Sequence, residues 1–142
     1  MGTSPASMFV LGMLALGLAA SAAATASGPP DVSVGLASQA GAGKQWNGTA
    51  TFTAGAAADS VVVALSFPDM MSIPEAAYPA AIRPGTCAAP TVGTRYSLTP
   101  VRNSRSTTTL HVTLGSIKAK PFSVEVRSSD STRVLACGSL KP

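Results

Sequence analysis

The chain has 142 residues, 46% of them hydrophobic, with ten basic and six acidic side chains and a net charge of +4. The basic residues are scattered, without a Lys/Arg block or interleaved aromatics, so nucleic-acid binding has no support. A single histidine, singly scattered acids and the lack of a Gly-x-Ser-x-Gly elbow leave no hydrolytic triad or carboxylate pair to assemble.

Residues 8–20 are apolar and uncharged, and small residues follow from Ser21 to Ser27. Ala24-Thr25-Ala26 fits the small-x-small rule of a signal peptidase site, with Ala22-Ala23-Ala24 as a competing site. Residues 1–26 are therefore read as a signal peptide, although residues 1–7 contain no Lys or Arg. An uncleaved membrane anchor is the alternative, because residues 8–26 are just long enough to span a bilayer. No basic stop-transfer cluster follows, so no membrane span is expected after cleavage.

Residues 27–45 read as an N-terminal strand, with Val32, Val34 and Leu36 alternating against Ser33 and Gly35, and then a flexible connection, Ala40 to Lys44. Residues 46–142 read as a β-barrel or sandwich domain. Trp46 to Ala54 predicts a strand with Ala50 and Phe52 inward and Thr49, Thr51 and Thr53 outward. Trp46 is expected to cap the barrel or stay partly exposed. Asp59 to Phe67 gives the clearest alternation: Val61, Val63, Leu65 and Phe67 share one face. Pro68 to Pro79 predicts a loop, Tyr78 to Arg83 a short strand, and Arg95 to Leu98 another. Asn103 to Ser106 predicts a turn before a strand from Thr107 to Leu114. Phe122 to Arg127 alternates Phe122, Val124 and Val126 with Ser123, Glu125 and Arg127. Ser128 to Ser131 turns into a last strand, Thr132 to Cys137. The sum is an all-β fold of seven or eight antiparallel strands, each with one buried and one wet face.

Cys87 and Cys137 are the two cysteines, and only one intramolecular pairing exists. In an exported chain they are expected to join as a structural bridge, since a redox pair more often lies as Cys-x-x-Cys. Asn47-Gly48-Thr49 is a glycosylation sequon, read here as a turn and strand start.

The stretch Pro79-Ala80-Ala81-Ile82-Arg83-Pro84-Gly85-Thr86-Cys87 resembles a group of small exported bacterial proteins. So do Tyr96-Ser97-Leu98, Phe122 to Arg127 and Arg133 to Gly138. The pattern of the group is roughly Pro-Ala-His-Ile-His-x-Gly-Thr-Cys, Tyr-x-Leu, Val-x-Val-His and Ala-Cys-Gly. These proteins are in turn similar to copper/zinc superoxide dismutases. The resemblance covers residues 46–140 and implies a Greek-key, superoxide dismutase-like barrel closed by one disulfide. It also implies where metal ligands would stand. Here Ala81, Arg83 and Arg127 occupy the three histidine positions. Alanine offers no donor and a guanidinium stays protonated, so the resemblance implies a lost metal site and no cofactor. Arg133 lies one residue further from Cys137 than the substrate-guiding arginine of the dismutases.

The residues themselves leave several roles open. Arg83 and Arg127, if they converge, form a candidate anion-binding patch for carboxylate, phosphate or sulfate. Their alternative is to point into water or to pair with Glu125, Glu75 or Asp130. His111, expected on a wet face, offers with Met70 and Met71 a soft ligand set for Cu(I). The expected function is that of an exported, non-catalytic β-domain of binding or structural role, in the periplasm or outside the cell. A copper-binding protein or dismutase-like enzyme with displaced ligands is the alternative. An envelope protein pairing with an exposed sheet edge is a third partner class.

Overall fold

The computed structural model describes residues 31–70 and 76–140, together with Gly2. The signal-peptide reading, Met71 and Glu75 lie outside the described residues. Eight strands are present: β1 (Val32–Ser38), β2 (Gly48–Ala54), β3 (Val61–Ser66), β4 (Tyr78–Pro84), β5 (Tyr96–Val101), β6 (Arg105–Leu110), β7 (Phe122–Arg127) and β8 (Val134–Leu140). A single α-helical turn, α1 (Leu114–Lys118), and a 3-10 turn, Lys44–Trp46, complete the described elements.

All the pairings are antiparallel, in the order β5-β4-β7-β8-β1-β2-β3-β6. The two edge strands, β5 and β6, lie side by side and close the sheet into a barrel. Their closure is made by side chains. Thr99 N–H donates to Thr108 Oγ1 at 2.8 Å, and Ser106 Oγ donates to Thr99 O at 2.5 Å. Pro100 lacks the N–H that a continuous ladder needs, which gives a reason for the substitution of hydroxyls. Strands β4, β5 and β6 follow one another, and β7 returns by a long connection to lie beside β4. That is a Greek key.

The inward faces follow the alternation in the sequence. Phe52, Val61, Phe67, Ile82, Val124 and Val126 are fully buried. Phe52 meets Phe122 edge-on, with centroids 5.4 Å apart. β1 belongs to the same sheet: Val32 to Leu36 pair with β2, and Ala37 and Ser38 pair with β8.

Four local expectations are corrected. Trp46 precedes β2 and sits in the 3-10 turn, where it caps the barrel edge-on against Phe67 and Tyr78. The β5–β6 turn is only two residues long. Asn103 and Ser104 both take positive φ, and Arg102 and Arg105 exchange backbone hydrogen bonds, so the next strand starts earlier than Thr107. That strand ends at Leu110 rather than Leu114, because Thr113 caps α1 by accepting from Ser116 N–H at 3.1 Å. Leu114 and Ile117, three residues apart, share one face of a helical turn, whereas in a strand they would point to opposite faces. Finally, the outer face of β7 is dry: Ser123 and Glu125 are buried like the core side chains between them.

Among the described residues, no helix is long and apolar enough to cross a membrane.

Candidate functional site

The outer face of β7 explains its own burial. Successive strand residues point to opposite faces, so Ser123, Glu125 and Arg127 share the side away from the core. Across the ladder, Arg83 pairs with Ser123 and Ala81 with Glu125 on β4. On the other flank Cys137 pairs with Glu125 and Ser139 with Ser123 on β8. Cys137 is bonded to Cys87. This draws the β4–β5 connection over the sheet, and Cys87 N–H donates to Ser139 Oγ at 2.7 Å. The expected disulfide is therefore also the clasp of a covering loop. The loop turns at Gly85, with φ of 83° and room for no Cβ: one would lie 2.7 Å from Ala89 O.

Arg83 and Arg127 do converge, and they converge on Glu125. Arg127 Nε donates to Glu125 Oε1 at 2.7 Å. Arg83 Nη1 stands 3.5 Å from the same oxygen. Arg127 Nη1 also donates to Ser131 O at 3.2 Å. The carboxylate side chain is 8% exposed, against 20% for Arg83 and 32% for Arg127. Two guanidiniums around one carboxylate leave a net positive charge. A cavity of about 220 Å³ lies beside the cluster, lined in part by Ala81, Ser97 and Ser131. Two buried donors nearby, Arg83 Nε and Ser123 Oγ, have no hydrogen-bond partner among the described residues.

His111 and Met70 are not brought together. β3 and β6 are antiparallel neighbours, with Ser66 opposite Arg105 and Val61 opposite Leu110. Met70 follows the end of β3, and His111 follows the end of β6, at the other end of the barrel. Six residues of strand separate them by roughly 20 Å. Among the described residues no group of three or more His, Cys, Asp or Glu side chains could hold a metal ion.

A larger concavity, about 720 Å³, opens at the barrel end where Trp46 sits. Three connections build it. The β1–β2 connection supplies Ala42, Lys44 and Trp46; the β3–β4 connection and the start of β4 supply Asp69, Met70 and Tyr78. Ser128, Ser129, Arg133 and Leu135 come from the β7–β8 turn and the start of β8. That turn is ordered by Asp130. Its Oδ1 accepts from Ser128 Oγ at 2.6 Å, Thr132 Oγ1 at 2.8 Å and Thr132 N–H at 3.1 Å. The Ser128 and Thr132 donors hold the Asp130 carboxyl down at about 2, below its ordinary 3.8. Loops carried on a rigid barrel are the usual place for recognition.

Sequence reasoning did not assemble this groove. Its residues lie far apart along the chain, and only the antiparallel order brings three connections to one end. Proline and glycine punctuation marks the connections, without marking which end each one joins.

Compared with family models, with curated proteins and with solved structures, the chain matches none. The fold and its sites define a class, a disulfide-clasped Greek-key barrel with a salt-bridged outer face and a loop-built groove.

Proposed function

We propose that this chain is an exported, non-catalytic β-barrel of binding or structural role, a metal-less relative of superoxide dismutase-like proteins. One observation carries the reading. Arg83 and Arg127, which stand at two of the histidine positions of the similar proteins, are joined through the buried Glu125. Guanidiniums repel a cation, and their carboxylate partner is already engaged. The third position, Ala81, has no donor atom. The Cys87–Cys137 bond supports an oxidising compartment, the periplasm or the extracellular space.

Glu125 also bears on the anion-binding role of Arg83 and Arg127. An external citrate, phosphate or sulfate would compete with an internal carboxylate for the same guanidiniums. Calorimetric titration with these anions is expected to give no heat at millimolar concentration.

The proposal is tested by incubating the processed protein with Cu and Zn, measuring bound metal by mass spectrometry, and assaying superoxide removal. Neither stoichiometric metal nor turnover is expected. Both together would establish the alternative, an enzyme with displaced ligands.

A further inference from the structure

We propose that the groove at the Trp46 end of the barrel binds a small amphipathic monoanion, a compact apolar body carrying one carboxylate. This names the ligand class for the binding role proposed above.

The groove has an apolar wall and a cationic rim. Trp46, Met70, Tyr78 and Leu135 form the wall, and the Trp46 and Tyr78 rings meet edge-on at 4.7 Å. Lys44 and Arg133 are exposed at the rim. Among the described residues neither side chain has a hydrogen-bond or ion-pair partner, unlike Arg83, Arg95 and Arg127, which are all engaged. Among the described lining residues Asp69 is the one acid, so there two cations stand with one carboxylate, an excess of positive charge. A monoanion matches that excess.

A second observation points the same way. Trp46 is 5% exposed, yet its indole N–H donates to nothing among the described residues. The same nitrogen is not among the fully enclosed unpaired atoms, so it keeps contact with solvent. A buried aromatic with a free donor beside two unpaired cations suits a ligand with an apolar body and an accepting head. The rim charges hold the head by charge-assisted hydrogen bonds. The ring wall takes the body by burial of apolar area.

Trp46 is the only tryptophan in the chain, so its emission reports on the groove directly. The processed, disulfide-bonded protein is titrated with cyclohexanecarboxylate, cyclohexanol and cyclohexylamine, which share a body and differ in charge. A saturable change is expected with the carboxylate, with the alcohol binding at least ten-fold more weakly. Lys44→Gln and Arg133→Gln are each expected to raise the carboxylate Kd roughly five-fold, the size of a partly solvated charge pair. Melting temperatures of these two rim variants are expected to match the parent. The proposal is overturned by no saturable change up to about 10 mM carboxylate. It is equally overturned by alcohol or amine binding as tightly as carboxylate, or by either variant binding like the parent. Failure here leaves the metal-less reading intact, whereas copper-dependent superoxide turnover would remove that reading and leave the groove result standing.

Discussion

Glu125 holds the most consequential contact on the surface of the barrel. Two strand neighbours on one face, Glu125 and Arg127, and one cross-strand neighbour, Arg83, meet at a single carboxylate oxygen. Such a pair stabilises little relative to an apolar substitute, but removing one partner is costly because it strands buried charge. Glu125→Ala is therefore expected to cost about 3 kcal/mol in urea unfolding, since it leaves two guanidiniums facing each other under the clasped loop. A loss below about 0.5 kcal/mol would mean the cluster is solvated like an ordinary surface pair. The alternation Ser123, Glu125, Arg127 makes the shared face legible in the sequence. Its burial is not legible, because it depends on the register that sets Cys137 opposite Glu125 and on the loop that Cys87 pulls across. Gly138 has a similarly local reason. A Cβ there would lie 2.3 Å from Gly35 O, where β1 crosses β8, so the Ala-Cys-Gly sequence records a close backbone approach.

At the scale of elements, the strands were readable and the connections were not. Val61 to Phe67 show the period-two burial that the sequence displays directly, whereas Phe122 to Val126 alternate in sequence but are buried on both faces. Leu110 to Leu114 misleads, because a short capped helical turn and a strand can carry the same apolar residues when only one turn is formed. The β7–β8 turn has a chemistry of its own through Asp130. Its carboxyl is depressed in the folded chain, so its contribution is fully present above the unfolded value of 3.8. That contribution is lost as pH falls through about 2. Asp130→Asn should accordingly melt below the parent at pH 6, with the difference shrinking toward zero as the pH is lowered to about 2. A difference that stays constant across that range would show that the carboxylate charge is irrelevant to the turn. Arg95 secures the opposite end of the barrel. It donates to Ser116 O and, at 2.9 Å, to Ile117 O, binding the β5 approach to the end of α1.

For the whole molecule, the disulfide joins residues 50 positions apart and so removes much freedom from the unfolded chain. The chain-entropy relation gives about 4 kcal/mol for a loop of that length. Replacing both Cys87 and Cys137 by alanine is expected to lower unfolding stability by about 2–4 kcal/mol. It should also expose Ser123 amide protons to faster exchange, because the covering loop is released. Unchanged exchange at Ser123 would show that the loop stays seated without its clasp. The all-β class and the pairing of the cysteines were legible because alternation and cysteine number constrain them strongly. The end-on groove was not, since it exists only once the Greek-key order has placed three distant connections together.

In the metal-less reading proposed above, Ala81, Arg83 and Arg127 stand where the similar proteins carry histidines. With one histidine in the chain, any imidazole–copper signal must come from His111. The direct measurement is electron paramagnetic resonance of the processed protein with one equivalent of Cu(II). Only weakly held copper, removed by passage through a desalting column, is expected. A retained, stoichiometric copper signal with nitrogen splitting, abolished by His111→Ala, would contradict the account.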